Sequence, residues 1–382
     1  MTRFDVIILG AGPAGSAAAV TARRAGLSVA VIDKARFPRA KLCGGLFTGR
    51  AQGYYQEIFQ HTLDPQLFEP RDRFAFHLNG TPLGGSEHTL PVYLTMRWDM
   101  DRLLFERAVQ AGASDYSGCR VTELDLAAQR VELDDGTALE YQILIGADGV
   151  QSRVARALFG QSFDKARIGF ALEVEAPPQP DNPVVRIDFD AASWGYGWQF
   201  PKRGSTTIGI GGLQAENPEI QARLATYRAQ LDDASTARVK GHFLPFGDYR
   251  RVPGRAAVLL AGDAAGFVDP ITGEGIAYAM KSGQLAADAA ATAIRAGQPD
   301  TALRIYARQV RPIQRSLRLA CVLRPLIFAP RARPFFRRAF TSSTTVKHAY
   351  LSMLSGEIEY PRLMWLIARR IPAAVWRRLR RA

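Results

Sequence analysis

The sequence predicts an α/β fold: a parallel sheet opened by a β-α-β unit, an antiparallel sheet inserted into it, and a basic helical region at the C-terminus. Three observations predict this. Residues 4–9 are an apolar, β-branched run that passes through a glycine-rich turn into an Ala-rich stretch at 16–25. A second apolar run at 27–32 then ends on Asp33, which completes strand, helix and strand within the length of a nucleotide-binding unit. Between about 160 and 255 the hydrophobic period changes to alternation, and beyond that the chain turns helical and strongly basic.

The remaining elements follow in order. Residues 97–112 carry Leu103, Leu104, Ala108 and Val109 at helical spacing and end in glycine. Residues 121–139 read as an antiparallel hairpin around Asp134-Asp135-Gly136, and 141–145 as a short buried strand running into Gly146. Alternating strands are expected at 168–174, 184–189, 197–200 and 206–210, with a Pro-rich loop at 176–183. Residues 258–261 return to a buried strand, and an Ala-rich helix is expected over 275–296. No internal repeat is found.

Composition narrows the class. With 382 residues, 47% hydrophobic and 22% charged, the chain can bury a sizeable core and does not resemble a disordered protein. Cys43, Cys119 and Cys321 form no C-x-x-C pair, and His61, His77, His88, His242 and His348 form no H-x-x-x-H pair, so neither a metal site nor a disulfide framework is expected. The glycines near the start break the apolar run that a signal peptide needs, no uninterrupted stretch is long enough to span a bilayer, and a cytoplasmic location is expected. The net charge of +13 is uneven: residues 331–382 hold twelve Lys or Arg against two Glu, which accounts for +10.

The segment Gly10-Ala11-Gly12-Pro13-Ala14-Gly15 matches G-x-G-x-x-G between strand and helix. Gly10 permits the tight turn, Gly12 lets backbone approach a pyrophosphate, and Gly15 brings helix and strand together, so that the phosphates sit on the helix N-terminus. Asp33, at the end of the second strand, is the candidate for binding a ribose.

Further segments resemble a flavoprotein family that includes aromatic hydroxylases, flavin-dependent halogenases and geranylgeranyl reductases. Gly146-Ala147-Asp148-Gly149 is similar to that family's Asp-Gly motif, and Ala261-Gly262-Asp263-Ala264-Ala265 followed by Asp269-Pro270 to its Gly-Asp motif. The resemblance implies that Asp263 contacts the ribityl and pyrophosphate region, that Asp148 lies behind the pyrophosphate, and that Arg97, with Asp101 on the same helix, reaches the cofactor. FAD is then the expected cofactor; since no second G-x-G-x-x-G is visible, either NAD(P)H binds transiently at the flavin face or another electron donor takes its place. The usual Ser-x-x-Arg after the Asp-Gly motif is replaced by Ser152-Arg153-Val154-Ala155-Arg156, which leaves a nicotinamide-related role for Arg153 or Arg156 open. Gly273 and Gly275 open a helix whose N-terminus would stabilise negative charge on a reduced flavin.

Two segments point to one branch. Lys41-Leu42-Cys43-Gly44-Gly45 resembles the Lys-x-Cys-Gly-Gly stretch of geranylgeranyl reductases, and Tyr196-Gly197-Trp198-Gln199-Phe200-Pro201 resembles their Tyr-x-Trp-x-Phe-Pro signature; Leu354-Ser355-Gly356-Glu357-Ile358-Glu359-Tyr360 is similar to that branch's C-terminal region. The fold expected is a Rossmann-like FAD-binding domain (residues 1–70, 98–158 and 256–320), an inserted antiparallel β-sheet substrate domain (71–97 and 159–255) and a basic helical C-terminal region (321–382). Expected FAD contacts are Gly10, Gly12, Pro13, Ala14, Gly15, Asp33, Lys34, Lys41, Cys43, Gly44, Arg97, Val121, Asp148, Gly262, Asp263, Pro270, Gly273, Gly275 and Ile276.

The candidates for catalysis are Cys43, Tyr196 and Trp198. Cys43 is read either as facing the flavin or as a small buried hydrophobe. Tyr196 is read as a proton donor, with His242 as its alternative. Trp194, Tyr196, Trp198 and Phe200 either line an apolar channel or pack the sheet. Three functions remain open: reduction of C=C bonds in a prenyl or other lipophilic substrate, flavin-dependent hydroxylation or halogenation of an aromatic or carrier-bound substrate, and non-catalytic lipid or pigment binding with FAD kept as structure. Residues 358–382 interleave apolar side chains and two Trp with Arg, the composition of a segment lying on an anionic membrane; a solvated basic helix is the other reading, and nucleic acid is not an expected partner.

Overall fold

The computed structural model describes residues 2–86, 91–179 and 181–370, the side chains of 366–370 excepted. The first strand, β1 (Thr2–Leu9), is buried from Val6 onward; α1 (Pro13–Arg24) follows directly, and β2 (Val29–Asp33) is buried throughout. β1 pairs in parallel with β2 on one side and with strand Ala138–Gly146 on the other, and strand Val258–Leu260 extends the parallel array. In register, Leu9 lies opposite both Ile32 and Gly146, and Gly146 opposite Leu260. The carboxyl ends of these strands therefore share one edge, where open α/β sheets bind ligands.

This sheet has eight strands. Gly254–Arg255 closes one side, Ser114–Ser117 the other, and strands Val121–Asp125 and Arg130–Leu133 hang from Ala138–Gly146. The hairpin expected around Asp134–Gly136 is present, joining Arg130–Leu133 to Ala138–Gly146, and a second hairpin turns at residues 126–129, where Gln129 adopts φ +53°. One boundary is corrected: residues 254–255 belong to this sheet rather than to the inserted one, because they pair with the strand that follows them.

Helix Ile276–Arg295 lies against α1. The contact explains its Ala content: a Cβ at Gly283 would come within 2.0 Å of the Ala14 carbonyl oxygen, so only small side chains allow the approach. Ala17, Ala18, Ala286, Ala287 and Ala290 are all fully buried in the same core.

The second sheet has seven strands in the order Lys240–Leu244, Gly169–Ala176, Thr206–Leu213, Tyr196–Pro201, Val185–Phe189, Phe74–Leu78 and Thr81–Ser86. It is not wholly antiparallel. Phe74–Leu78 enters from an earlier part of the chain and pairs in parallel with Val185–Phe189. One face packs Leu172, Val174, Ile208 and Ile210 against Ile220, Leu224 and Tyr227 of helix Ile220–Gln230. On the opposite side Phe76 and Phe189 pack with Phe336, Phe340 and Tyr350 from the C-terminal helices. A small sheet of Leu46–Phe47, Val92–Leu94 and Glu69–Arg71 completes the strands.

The C-terminal region is helical up to the last described residues, with helices Arg311–Phe328, Arg333–Ser342, Thr344–Ser355 and Tyr360–Arg370. Leu363 and Met364, read from the sequence as part of a membrane-facing stripe, pack instead on the second core, around Phe336, Phe340 and Tyr350, whereas Trp365 of the same stripe is exposed; its part in residues 371–382 lies outside the described residues. No helix among the described residues is long and apolar enough to cross a membrane.

Candidate active site

A cavity of about 880 Å³ opens along the shared strand edge and continues beneath the second sheet. Its size lies within the usual range for ligand sites, roughly 300–1,000 Å³. At one end is the glycine turn. Gly10 adopts φ +97°, and a Cβ there would come 2.3 Å from the Ala147 carbonyl oxygen and 2.9 Å from the Asp148 Cα. Gly15 is pressed on Gly10, since its Cβ would lie 1.8 Å from the Gly10 carbonyl oxygen. Gly12 differs: a Cβ there would meet only the Arg39 guanidinium, at 3.5 Å, and the position opens into the cavity.

Two helix N-termini point into this space. α1 starts at Gly12-Pro13 and helix Ile276–Arg295 at Gly275-Ile276; neither has a side-chain cap or an acidic residue in its first turn. Both leave orphan backbone N–H groups and the positive end of the macrodipole facing one cavity, an arrangement suited to an anionic ligand.

Acidic side chains line the same cavity. Asp33 is 8% exposed, and its carboxylate accepts the Ala11 and Ala35 amides, each at 2.9 Å, which fixes it at the mouth of the turn. Asp263 lies in the first turn of the 3₁₀ segment Gly262–Ala265 and borders the cavity. Asp148 caps helix Arg153–Phe159, taking the Arg153 amide at 2.7 Å and the Val154 amide at 3.2 Å on Oδ2, while Oδ1 is buried without a partner. Arg153, whose role the sequence left open, has a structural use: its guanidinium holds the carbonyls of Val121 and Thr122.

Cationic side chains lie on the same wall. Arg97 pairs through two hydrogen bonds of 2.8 Å with Asp101, which also meets Arg39 at 3.3 Å. Lys41 contacts His242. Burial pulls the Lys41 ammonium down to about 8 despite Asp263, and burial with the Lys41 charge pulls His242 down to about 4.

The turn before helix Ile276–Arg295 is held from three directions. Asp269 Oδ1 accepts the Ile271 amide at 2.8 Å, the Thr272 amide at 3.0 Å and the Tyr360 hydroxyl at 2.9 Å. Glu274 binds Thr48 and Arg50, and Arg50 reaches Glu359 at 3.2 Å. Tyr196 donates its hydroxyl to the Thr272 carbonyl at 2.6 Å, and Gly273, at φ +70°, leaves room for it, since a Cβ there would lie 2.4 Å from the tyrosine oxygen. Tyr196 thus positions the turn, and burial raises its hydroxyl further above the ordinary tyrosine value.

Tyr196, Trp198 and Phe200 share the cavity-facing side of their strand. The Trp198 ring lies across the adjacent strand, where a Cβ at Gly209 would be 2.4 Å from Cζ2. Its Nε1 faces Gly44 and has no protein partner. Trp194 does not join this wall: it lies under the Arg324 guanidinium, 5.8 Å from the ring centroid. Cys43 borders the cavity, and its amide is bonded to Glu173.

The cavity thus collects Gly10, Gly12, Pro13, Ala14, Asp33, Lys34, Lys41, Cys43, Gly44, Arg97, Val121, Asp148, Asp263, Gly273, Gly275 and Ile276. Gly15, Gly262 and Pro270 stand one layer back. Gly262 packs on Ala14 and donates to Ser282 Oγ at 2.9 Å, and Pro270 is buried against Gly247. Residues that sequence reasoning missed are Glu173, Arg50, Glu274 and Tyr360. Glu173 shares a strand face with Glu175 that reads from sequence as solvent-exposed, and the other three act through long-range partners.

The comparisons with known proteins agree with this geometry. A family model described as FAD dependent oxidoreductase matches residues 5–73, and one described as tryptophan halogenase matches residues 45–309. The chain is 33% identical over 318 residues to a menaquinone reductase of Mycolicibacterium smegmatis, covering 75% of this chain and 76% of that one. It is 31% identical over 327 residues to a geranylgeranyl diphosphate reductase of Rhodobacter capsulatus, covering 78% and 77%. The chain belongs to the geranylgeranyl reductase family of FAD-dependent oxidoreductases. The fold agrees with a geranylgeranyl bacteriochlorophyll reductase-like protein of Thermoplasma acidophilum, at TM-score 0.80 and 20% identity over 97% of this chain and 99% of that one.

Membership makes FAD the cofactor, and the residues present fit it. The glycine cradle and the two uncapped helix N-termini suit the pyrophosphate and the flavin's anionic edge, and Asp33 and Asp263 suit the ribose and ribityl hydroxyls.

Proposed function

We propose that this flavoenzyme reduces carbon–carbon double bonds of a prenyl or other long lipophilic substrate. Bound FAD, once reduced, supplies the hydride; the protein orients the alkene and keeps water out. The observation that carries this reading is the wall of Tyr196, Trp198 and Phe200, which extends the cavity beyond the glycine cradle toward Ala171, Ile187, Leu244 and Leu354. Such a lining suits an apolar chain. The names of the Rhodobacter and Mycolicibacterium relatives, both reductases, support it. NAD(P)H, bound transiently at the flavin, is the proposed electron source.

The test is anaerobic turnover: photoreduced enzyme mixed with geranylgeranyl diphosphate should be reoxidised and yield a product heavier by two hydrogens. The second reading, hydroxylation or halogenation, is favoured by the tryptophan halogenase match over residues 45–309. It predicts oxygen uptake coupled to an aromatic substrate and no anaerobic product.

We further propose that the enzyme works at a membrane surface, bound peripherally through its basic C-terminal segment. Val322, Leu326, Phe335 and Trp365 are exposed apolar side chains of the same helical region, and twelve Lys or Arg accompany them in residues 331–382.

A further inference from the structure

Alkene reduction needs a proton as well as a hydride, and the hydroxyl of Tyr196 is already committed to the Thr272 carbonyl. A different group is placed for the task. On strand Gly169–Ala176 the side chains alternate: Leu172, Val174 and Ala176 pack beneath helix Ile220–Gln230, whereas Ala171, Glu173 and Glu175 face the cavity. Glu173 is 4% exposed. Its Oε1 accepts the Cys43 amide at 2.9 Å, which ties the carboxyl to the Cys43-Gly44 segment. Its Oε2 is buried and has no partner in the protein. Gly209, directly opposite in register, is the glycine over which the Trp198 ring lies. The orphaned oxygen and the aromatic wall therefore belong to one patch of the sheet, at the junction between the glycine cradle and the apolar extension.

A buried polar atom left unsatisfied in a native site calls for an explanation, and a substrate in the cavity supplies one. We propose that Glu173 is the general acid of the reduction and that its Oε2–H protonates the alkene carbon next to the one that receives the hydride. This inference rests on the reductase reading above. The balance is simple: the hydride forms one C–H bond, the π pair of the alkene forms the second with the proton from Glu173, the O–H bond breaks with its electrons left on the carboxylate, and water restores the proton.

The electrostatics agree. Burial pushes the Glu173 carboxyl up to about 7; the Cys43 amide, Lys202 and Lys240 oppose the rise and Glu175 adds to it. A general acid is most effective when it titrates near the working pH. Lys240, the register partner of Glu173 on the edge strand, is exposed and borders the same cavity.

The experiment compares FAD-loaded wild type with Glu173→Gln, which keeps an acceptor for the Cys43 amide. In infrared titration of the resting protein, wild type should show a protonated-carboxyl band that disappears around neutral pH, and the variant should lack it. In anaerobic reoxidation by geranylgeranyl diphosphate, the wild-type rate should fall as pH rises through the same titration, and the variant should be about 100-fold slower or worse while taking up and photoreducing FAD as before. Reoxidation of the variant at the wild-type rate, or absence of the band in wild type, overturns the assignment. If wild type shows the band but is not reoxidised by this probe, the reductase reading fails and takes the acid role with it.

Discussion

The hydroxyl of Tyr360 donates to Asp269 Oδ1 at 2.9 Å across 91 positions of sequence. The same oxygen holds the Ile271 and Thr272 amides. The C-terminal helices therefore help to shape the cavity, because one of their side chains braces the turn that opens helix Ile276–Arg295. Tyr360→Phe should lower stability by about 1.5–3 kcal/mol, the range for a hydrogen bond to a charged group, and weaken FAD binding several-fold. Thermal unfolding and fluorescence titration of FAD check this; unchanged affinity would mean that the turn holds itself.

Gly15 has no room for a methyl group, since its Cβ would overlap the Gly10 carbonyl oxygen. Gly15→Ala should cost about 3 kcal/mol or more and yield protein that purifies without flavin colour. Gly12→Ala, whose Cβ meets no backbone, should leave the fold intact and impair only FAD uptake. Circular dichroism and flavin absorbance separate the two outcomes.

Tyr196→Phe keeps the ring and removes only the bond to Thr272. Stability should fall by about 1 kcal/mol. Substrate-driven reoxidation should slow by less than about tenfold, whereas loss of a general acid typically costs 10²–10⁴-fold. Stopped-flow reoxidation decides whether Tyr196 positions the turn or donates the proton.

His242 is held down to about 4 by burial and the neighbouring Lys41 charge, against an ordinary value of 6.5. Between these values the unfolded chain binds more protons than the folded one, so the contribution of His242 is retained above pH 6.5 and lost as pH falls toward 4. His242→Gln should lose less stability than wild type over that window. Denaturant midpoints of the two proteins, measured at both ends of it, provide the comparison.

Wild type should sediment with anionic liposomes at low ionic strength and be released by salt. Truncation after Arg370 leaves Leu363 and Met364 on the second core and removes four of the basic residues. Sedimentation of the truncated protein should drop sharply; an unchanged pellet would count against the tail as the anchor.

The nucleotide-binding half was legible in the sequence because its requirements are local. Gly10 and Gly15 answer to backbone geometry within a few residues, Asp33 to the end of its own strand, and the ends of β1, Ala138–Gly146 and Val258–Leu260 to short buried runs that each stop at a glycine-containing turn. Alternation likewise separated the two faces of Gly169–Ala176. It did not say what covers each face: the side carrying Glu173 and Glu175 reads as solvent-exposed in isolation and is buried only because the cavity wall forms over it. Trp194 and Trp198 are alike in sequence, and tertiary packing sends one under Arg324 and the other into the cavity. Tyr360 and Arg50 find their partners 91 and 224 residues away. Turns and periods are written in neighbouring residues, whereas burial, and with it the protonation of a carboxyl, depends on which distant surfaces the folded chain brings together.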